Sequence, residues 1–135
     1  MSTVPQELNW VEKRAACTVA EVFNQLCDEI ESDVTAANSA RQLSEDDQFV
    51  ATRSGGGPVI IVGRPRRVPN PRVFVALADN RIEVTTERND KWSATVGLND
   101  EGRCTLRLAD GKTEITEVEQ WQFRRRALES LFFGS

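Results

Sequence analysis

Two fragments of the sequence carry the residue types of a phosphate grip. One is Ser54-Gly55-Gly56-Gly57, ahead of Val59-Ile60-Ile61-Val62; the other is Gly111-Lys112-Thr113. A phosphate loop needs its glycines, its lysine and its Ser or Thr in one turn between a strand and a helix. Backbone N–H groups and the helix N-terminus then meet the anion together. The triple glycine has no lysine, and it runs through Pro58 into a β-branched stretch that reads as a strand. Gly111-Lys112-Thr113 has Leu106 where the first glycine of the motif belongs, and it lies in a hairpin pattern with no helix to receive a phosphate. Both fragments therefore read as turns.

The remaining chemistry is narrow. The chain contains no histidine, the commonest general base and transition-metal ligand, so Ser–His and Cys–His nucleophile activation are excluded. Cys17, Cys27 and Cys104 are widely spaced and form no Cys-x-x-Cys pair. They read as reduced, buried, small apolar residues of a cytoplasmic protein. Asp28, Glu29, Glu31 and Asp33 could be taken for a metal site, but they read as the solvated side of a helix. No cofactor and no metal are expected. Paired carboxylates are the remaining route to catalysis, and nothing marks a convergent pair, so the reading leans away from an enzyme.

The most unusual stretch is residues 63–72, where Arg64, Arg66, Arg67 and Arg72 stand among three prolines. Proline holds such a segment extended and removes ladder donors, while arginine suits carboxylate or phosphate recognition. These four residues are the candidate binding residues. The competing reading is a solvated connection whose arginines neutralise Glu45, Asp46 and Asp47. Arg124-Arg125-Arg126 point in different directions around a helix and read as a charged outer side. Trp92 and Trp121 read as core residues, while Trp10 is open.

The elements that must position these groups follow from periodicity and turn chemistry. With 39% apolar and 28% charged residues the chain is an ordinary globular sequence, long enough for one domain with its own core. Its net charge of −4 argues against nucleic acid and anionic membrane surfaces. No apolar run approaches the ~20 residues of a membrane span, and no signal peptide is read at the N-terminus.

Residues 8–38 carry a helical stripe of Leu8, Val11, Ala15, Val19, Val22, Leu26, Ile30, Val34 and Ala37. Thr18 and Glu21 fit a capping box, which predicts a short helix over 8–16 and a longer one over 19–38. Residues 39–47 read as a polar linker. From residue 48 the period is two, with candidate strands at 48–53, 59–63, 72–78, 81–87, 91–98, 103–109 and 112–116.

Three turns set the register. Asp79-Asn80 pairs Ala78 with Arg81. The Asn99–Gly102 turn, with Gly102 left-handed, pairs Asn99 with Arg103 and places Val96 opposite Leu106. Asp110-Gly111 pairs Ala109 with Lys112, which places Leu106 opposite Ile115 and Arg107 opposite Glu114. Val75, Val84, Val96 and Leu106 then share one apolar face. The other face, with Glu83, Thr85, Ser93, Thr95, Arg103 and Arg107, should be wet. Thr116 and Glu119 suggest a second capping box, and Leu131-Phe132-Phe133 should dock the final helix into the core.

Seven short strands followed by a helix with Trp121 resemble the layout of pleckstrin-homology domains. That family lacks the long helical start, and its lipid-binding members carry basic residues where Gly55-Gly56-Gly57 stand. Size and acidity are similar to type III secretion chaperones, which interleave helices with strands. No functional residue is carried over from either.

The expected fold is α+β: an antiparallel meander of five to seven strands, with a long N-terminal helical segment and a C-terminal helix packed on one face. It forms a single domain over residues 1–135, helical over 8–38, in strands over 48–116 and helical again over 117–133. Strands 48–53 and 59–63 either extend the main sheet or form a separate hairpin. The expected function is a non-catalytic cytoplasmic module that binds a protein partner or self-associates, without nucleic acid, membrane insertion or metal. The alternative is a small-molecule or anion binder using the arginine loop or a cavity between sheet and helices.

Overall fold

The computed structural model describes residues 9–53, 57–109 and 116–134. Among these the order is α1 (Trp10–Ala16), α2 (Val19–Ala40), a single 3-10 turn (Glu45–Asp47), β1 (Val50–Thr52), β2 (Val59–Gly63), β3 (Arg72–Ala78), β4 (Arg81–Thr85), β5 (Lys91–Leu98), β6 (Cys104–Ala109), β7 (Thr116–Val118) and α3 (Gln120–Phe133). All seven strands form one antiparallel sheet in sequential order. β1 and β2 therefore extend the main sheet rather than standing apart. The fold is α+β, with α2 and α3 laid against one face of the meander.

The break between α1 and α2 follows from Thr18. Its backbone is extended, and its hydroxyl accepts from the Glu21 N–H at 3.1 Å, satisfying one orphan donor of the new helix. α1 departs from the expected stripe. None of its residues is buried, and Val11 is 58% exposed. It is held by polar and covalent links instead. Arg14 donates to the Cys17 and Val96 carbonyls at 2.9 and 3.2 Å, and Cys17 forms a disulfide with Cys104 at the start of β6. The reading of three reduced cysteines is thereby corrected for two of them; only Cys27 is free and buried. Sequence separation hid this pair, because the sheet carries Cys104 back to the end of α1. Leu8 lies outside the described residues.

Two of the three turn-derived registers stand. Ala78 pairs with Arg81 and Val75 with Val84, with Asp79 at positive φ. Leu98 pairs with Cys104 and Val96 with Leu106, and Gly102 takes φ 81°. The third is corrected. Leu106 pairs with Val118 and Arg107 with Glu117, each three residues beyond the expected partner. The predicted Asp110-Gly111 turn, Lys112, Glu114 and Ile115 lie outside the described residues. The longer connection still keeps a branched apolar residue opposite Leu106 and a carboxylate opposite Arg107, so the alternation alone could not separate the two registers.

Val75, Val84, Val96 and Leu106 share the inner face, each 8% exposed or less. Against it lie Val22, Phe23, Leu26 and Ile30 from α2 and Phe123, Leu128, Leu131 and Phe132 from α3, all buried. The outer face is polar only from β4 onward. In β2 and β3 it carries Val59, Ile61, Phe74 and Ala76, all half-buried, where a wet face was expected. On its polar part Thr105 is 2% exposed and donates to Glu117 at 2.8 Å, beside the Arg107–Glu117 ion pair at 3.7 Å. Gly97 makes room for this cluster, since a Cβ there would stand 3.0 Å from Arg107 Nε.

The last helix starts later than the Thr116 box predicted. Glu119 is the N-cap, and its N–H is received by the Gln122 side chain at 2.9 Å. Leu131 and Phe132 dock as expected, but Phe133 is 64% exposed.

Candidate functional site

The two long helices run parallel. Gln25 meets Gln120 at 3.1 Å, Asp33 meets Arg124 at 2.7 Å, and Arg41 donates to the Phe132 carbonyl at 2.5 Å, so both chains advance in the same direction. The Arg41 contact also satisfies one of the last carbonyls of α3, which have no partner within the helix.

Between the helices opens a cleft of about 400 Å³. Ala36, Ala37 and Ala40 form its α2 wall, and their small side chains leave the space open. Leu128 and Phe132 form its apolar floor, with Trp121 and Phe133 at its two ends. Trp121, expected in the core, is 50% exposed; its indole N–H donates to Glu119 Oε2 at 3.1 Å. The signal that could have moved it outward is its place in the first turn of α3, between the polar Gln120, which is half-buried, and Gln122, which is exposed.

The three consecutive arginines diverge, as their angular spacing requires. The Arg124 side chain is only 14% exposed. It enters the cleft and pairs with Asp33 at 2.7 Å and Glu29 at 3.9 Å, so the reading of a uniformly outer charged side is corrected for this residue. Arg125 pairs with Glu129 one turn on, at 2.7 Å and in solvent. Arg126 lies over the buried Trp92 ring, 5.1 Å from its centroid. Glu29 and Asp33, two of the acids clustered over residues 28–33 of α2, are thus used to hold the helices together.

The arginine-rich segment places its side chains in separate environments. Arg64 is 9% exposed, with its guanidinium 4.8 Å from the centroid of the buried Phe49 ring. Its Nε donates to the Asp47 carbonyl at 3.0 Å, and its N–H is received by Asn70 at 2.9 Å. Burial lowers its pKa, and the nearby Arg67 and Arg41 add to that. Arg66 and Arg67 stay exposed and pair with Asp46 at 3.0 Å and Asp47 at 3.7 Å. Arg72 lies over Phe74, 5.5 Å from its centroid. Arg64 and Arg67 both reach Asp47, one at its carbonyl and the other at its carboxylate, and these contacts turn the two guanidinium groups onto the chain itself rather than toward one ligand.

A smaller cleft at the β4–β5 connection is lined by Glu87, Arg88, Lys91, Trp92 and Ser130. There Glu87 Oε2 and Ser130 Oγ are buried without a hydrogen-bond partner. Among the described residues no group of three or more metal-ligating side chains is gathered, and no helix is long and apolar enough to cross a membrane.

Fold and cleft together define an α+β module with an open apolar groove between two parallel helices on one face of a meander. No protein-family model, curated protein or solved structure matches the chain.

Proposed function

We propose that this chain is a non-catalytic module that binds a protein partner through the α2/α3 cleft. The observation that carries this reading is the exposure of Trp121 and Phe133, 50% and 64%, at the ends of a floor made by Leu128 and Phe132. Large aromatic side chains beside an apolar floor are the typical anchors of protein interfaces. An open groove suits a chain segment better than a small molecule, which takes an enclosed pocket. The absence of histidine from the sequence supports the non-catalytic part of the reading. The Cys17–Cys104 bridge weighs toward an oxidising compartment and against the cytoplasm.

A photo-crosslinking residue tests the cleft. Placed at the exposed Ala36 position it should capture a defined product, which the double change Trp121→Ser and Phe133→Ser should abolish. Placed at the exposed Thr95 on the outer sheet face it should not. Equal capture from both positions, or capture indifferent to the two aromatic changes, removes the cleft as the binding surface.

A further inference from the structure

We propose that the occupant of the α2/α3 cleft is a second copy of this chain, docked through its own α3 in antiparallel orientation. This rests on reading the cleft as a protein-binding surface. Four residues carry it. Trp121, Arg125, Glu129 and Phe133 are spaced by four and form a single ridge along the solvent side of α3, and all four are exposed. Read along the helix the ridge is aromatic, cationic, anionic, aromatic. Reversed, it is its own complement.

When two α3 helices are set antiparallel about a two-fold axis at the level of residue 127, Trp121 of one copy meets Phe133 of the other. Arg125 meets Glu129. The symmetry repeats both contacts, as an isologous interface requires. Arg125 and Glu129 already pair within the chain at 2.7 Å, with side-chain exposures of 64% and 55%. They exchange one opposite-charge neighbour for another on docking. Antiparallel helix dipoles also oppose each other favourably. Ala36 and Ala40 on the facing wall of α2 leave the space a second helix needs, since packed helices approach to ~8–10 Å.

The test is a pair of charge reversals, read by sedimentation velocity over a dilution series reaching ~500 µM. The wild-type chain is expected to dimerise. R125E alone and E129R alone each place like charges opposite one another twice, and each should dimerise roughly tenfold or more weakly. An equimolar mixture of the two restores opposite charges at both contacts and should form the mixed dimer. Because both residues are solvent-exposed the variants should fold, and a misfolded variant could not be rescued by mixing.

A wild type that stays monomeric throughout overturns the proposal, as do single variants that associate like the wild type, or a mixture without rescue. A monomeric wild type whose position-36 crosslinker still captures another protein, lost with the aromatic changes, removes the second copy and leaves the partner-binding reading standing. Absence of both dimer and capture removes both.

Discussion

Cys17 and Cys104 are 87 residues apart in sequence and 5.5 Å apart at Cα, joined by a disulfide between the end of α1 and the start of β6. The bond anchors a helix that buries none of its own side chains. It also closes most of the meander into one covalent loop.

Closing so long a loop restricts the unfolded chain, so changing both cysteines to Ser should lower stability by roughly 2–5 kcal/mol. Urea unfolding of wild type and variant under non-reducing conditions measures this. Titration of the denatured, unreduced chain isolated from its native cells should find one thiol. Three thiols would mean the bond does not form there.

Burial pushes the Cys27 thiol up from 9.0 to about 11, opposed by Arg53 and reinforced by Asp28 and Glu31. In the folded chain the thiol should resist alkylation at mildly alkaline pH and react on unfolding. The folded state holds its proton to higher pH than the unfolded state, so the unfolded chain gains by ionising first. Stability should fall as pH rises from about 9 toward 11. Cys27→Ala should remove that part of the alkaline loss, as read from unfolding midpoints across the window.

Asn38 ties the end of α2 to the approach to β1. Its amide donates to the Phe49 carbonyl at 3.0 Å and accepts from the Phe49 N–H at 2.8 Å. Asn38→Ala should cost about 2 kcal/mol in denaturant unfolding. Asn38→Asp keeps the acceptor but turns a carboxylate toward the Phe49 carbonyl. Only the protonated acid can donate there, so the folded pKa of the new carboxyl lies above the ordinary ~3.9. The variant's deficit should shrink as pH falls through that raised value.

Arg64 and its neighbours should separate by role. Arg64→Ala removes the stacking on Phe49 and the bond to the Asp47 carbonyl, and should cost about 1–3 kcal/mol. Arg66→Ala and Arg67→Ala break exposed pairs and should stay within about 0.5 kcal/mol. Thermal melts distinguish the two outcomes. A binding test of this segment should therefore change Arg66, Arg67 and Arg72 and leave Arg64 in place.

The inner face of the sheet was legible because turn chemistry and side-chain alternation are both local. Asp79, and Gly102 with its positive φ, fixed which residues lie opposite, and Val75, Val84, Val96 and Leu106 fell together as a result. The β6–β7 register was not legible, since Val118 and Glu117 satisfy the same alternation as the residues three positions earlier. The candidate site was read less well. The arginine segment stood out by composition. The cleft did not, because it is made by two helices brought together from opposite ends of the chain.

By itself the sequence determined the meander, the break at Thr18, the helical layer on one face and the exclusion of Ser–His and Cys–His nucleophile chemistry. These depend on backbone propensity, capping and periodicity within a few residues of each position. Only the tertiary structure decided that Cys17 meets Cys104, that Arg64 turns inward while Arg66 and Arg67 stay out, and that Trp121 and Phe133 remain exposed. Each of those outcomes depends on what a distant segment brings alongside, and the periodicity of an element shows which of its faces is covered but not which distant segment covers it.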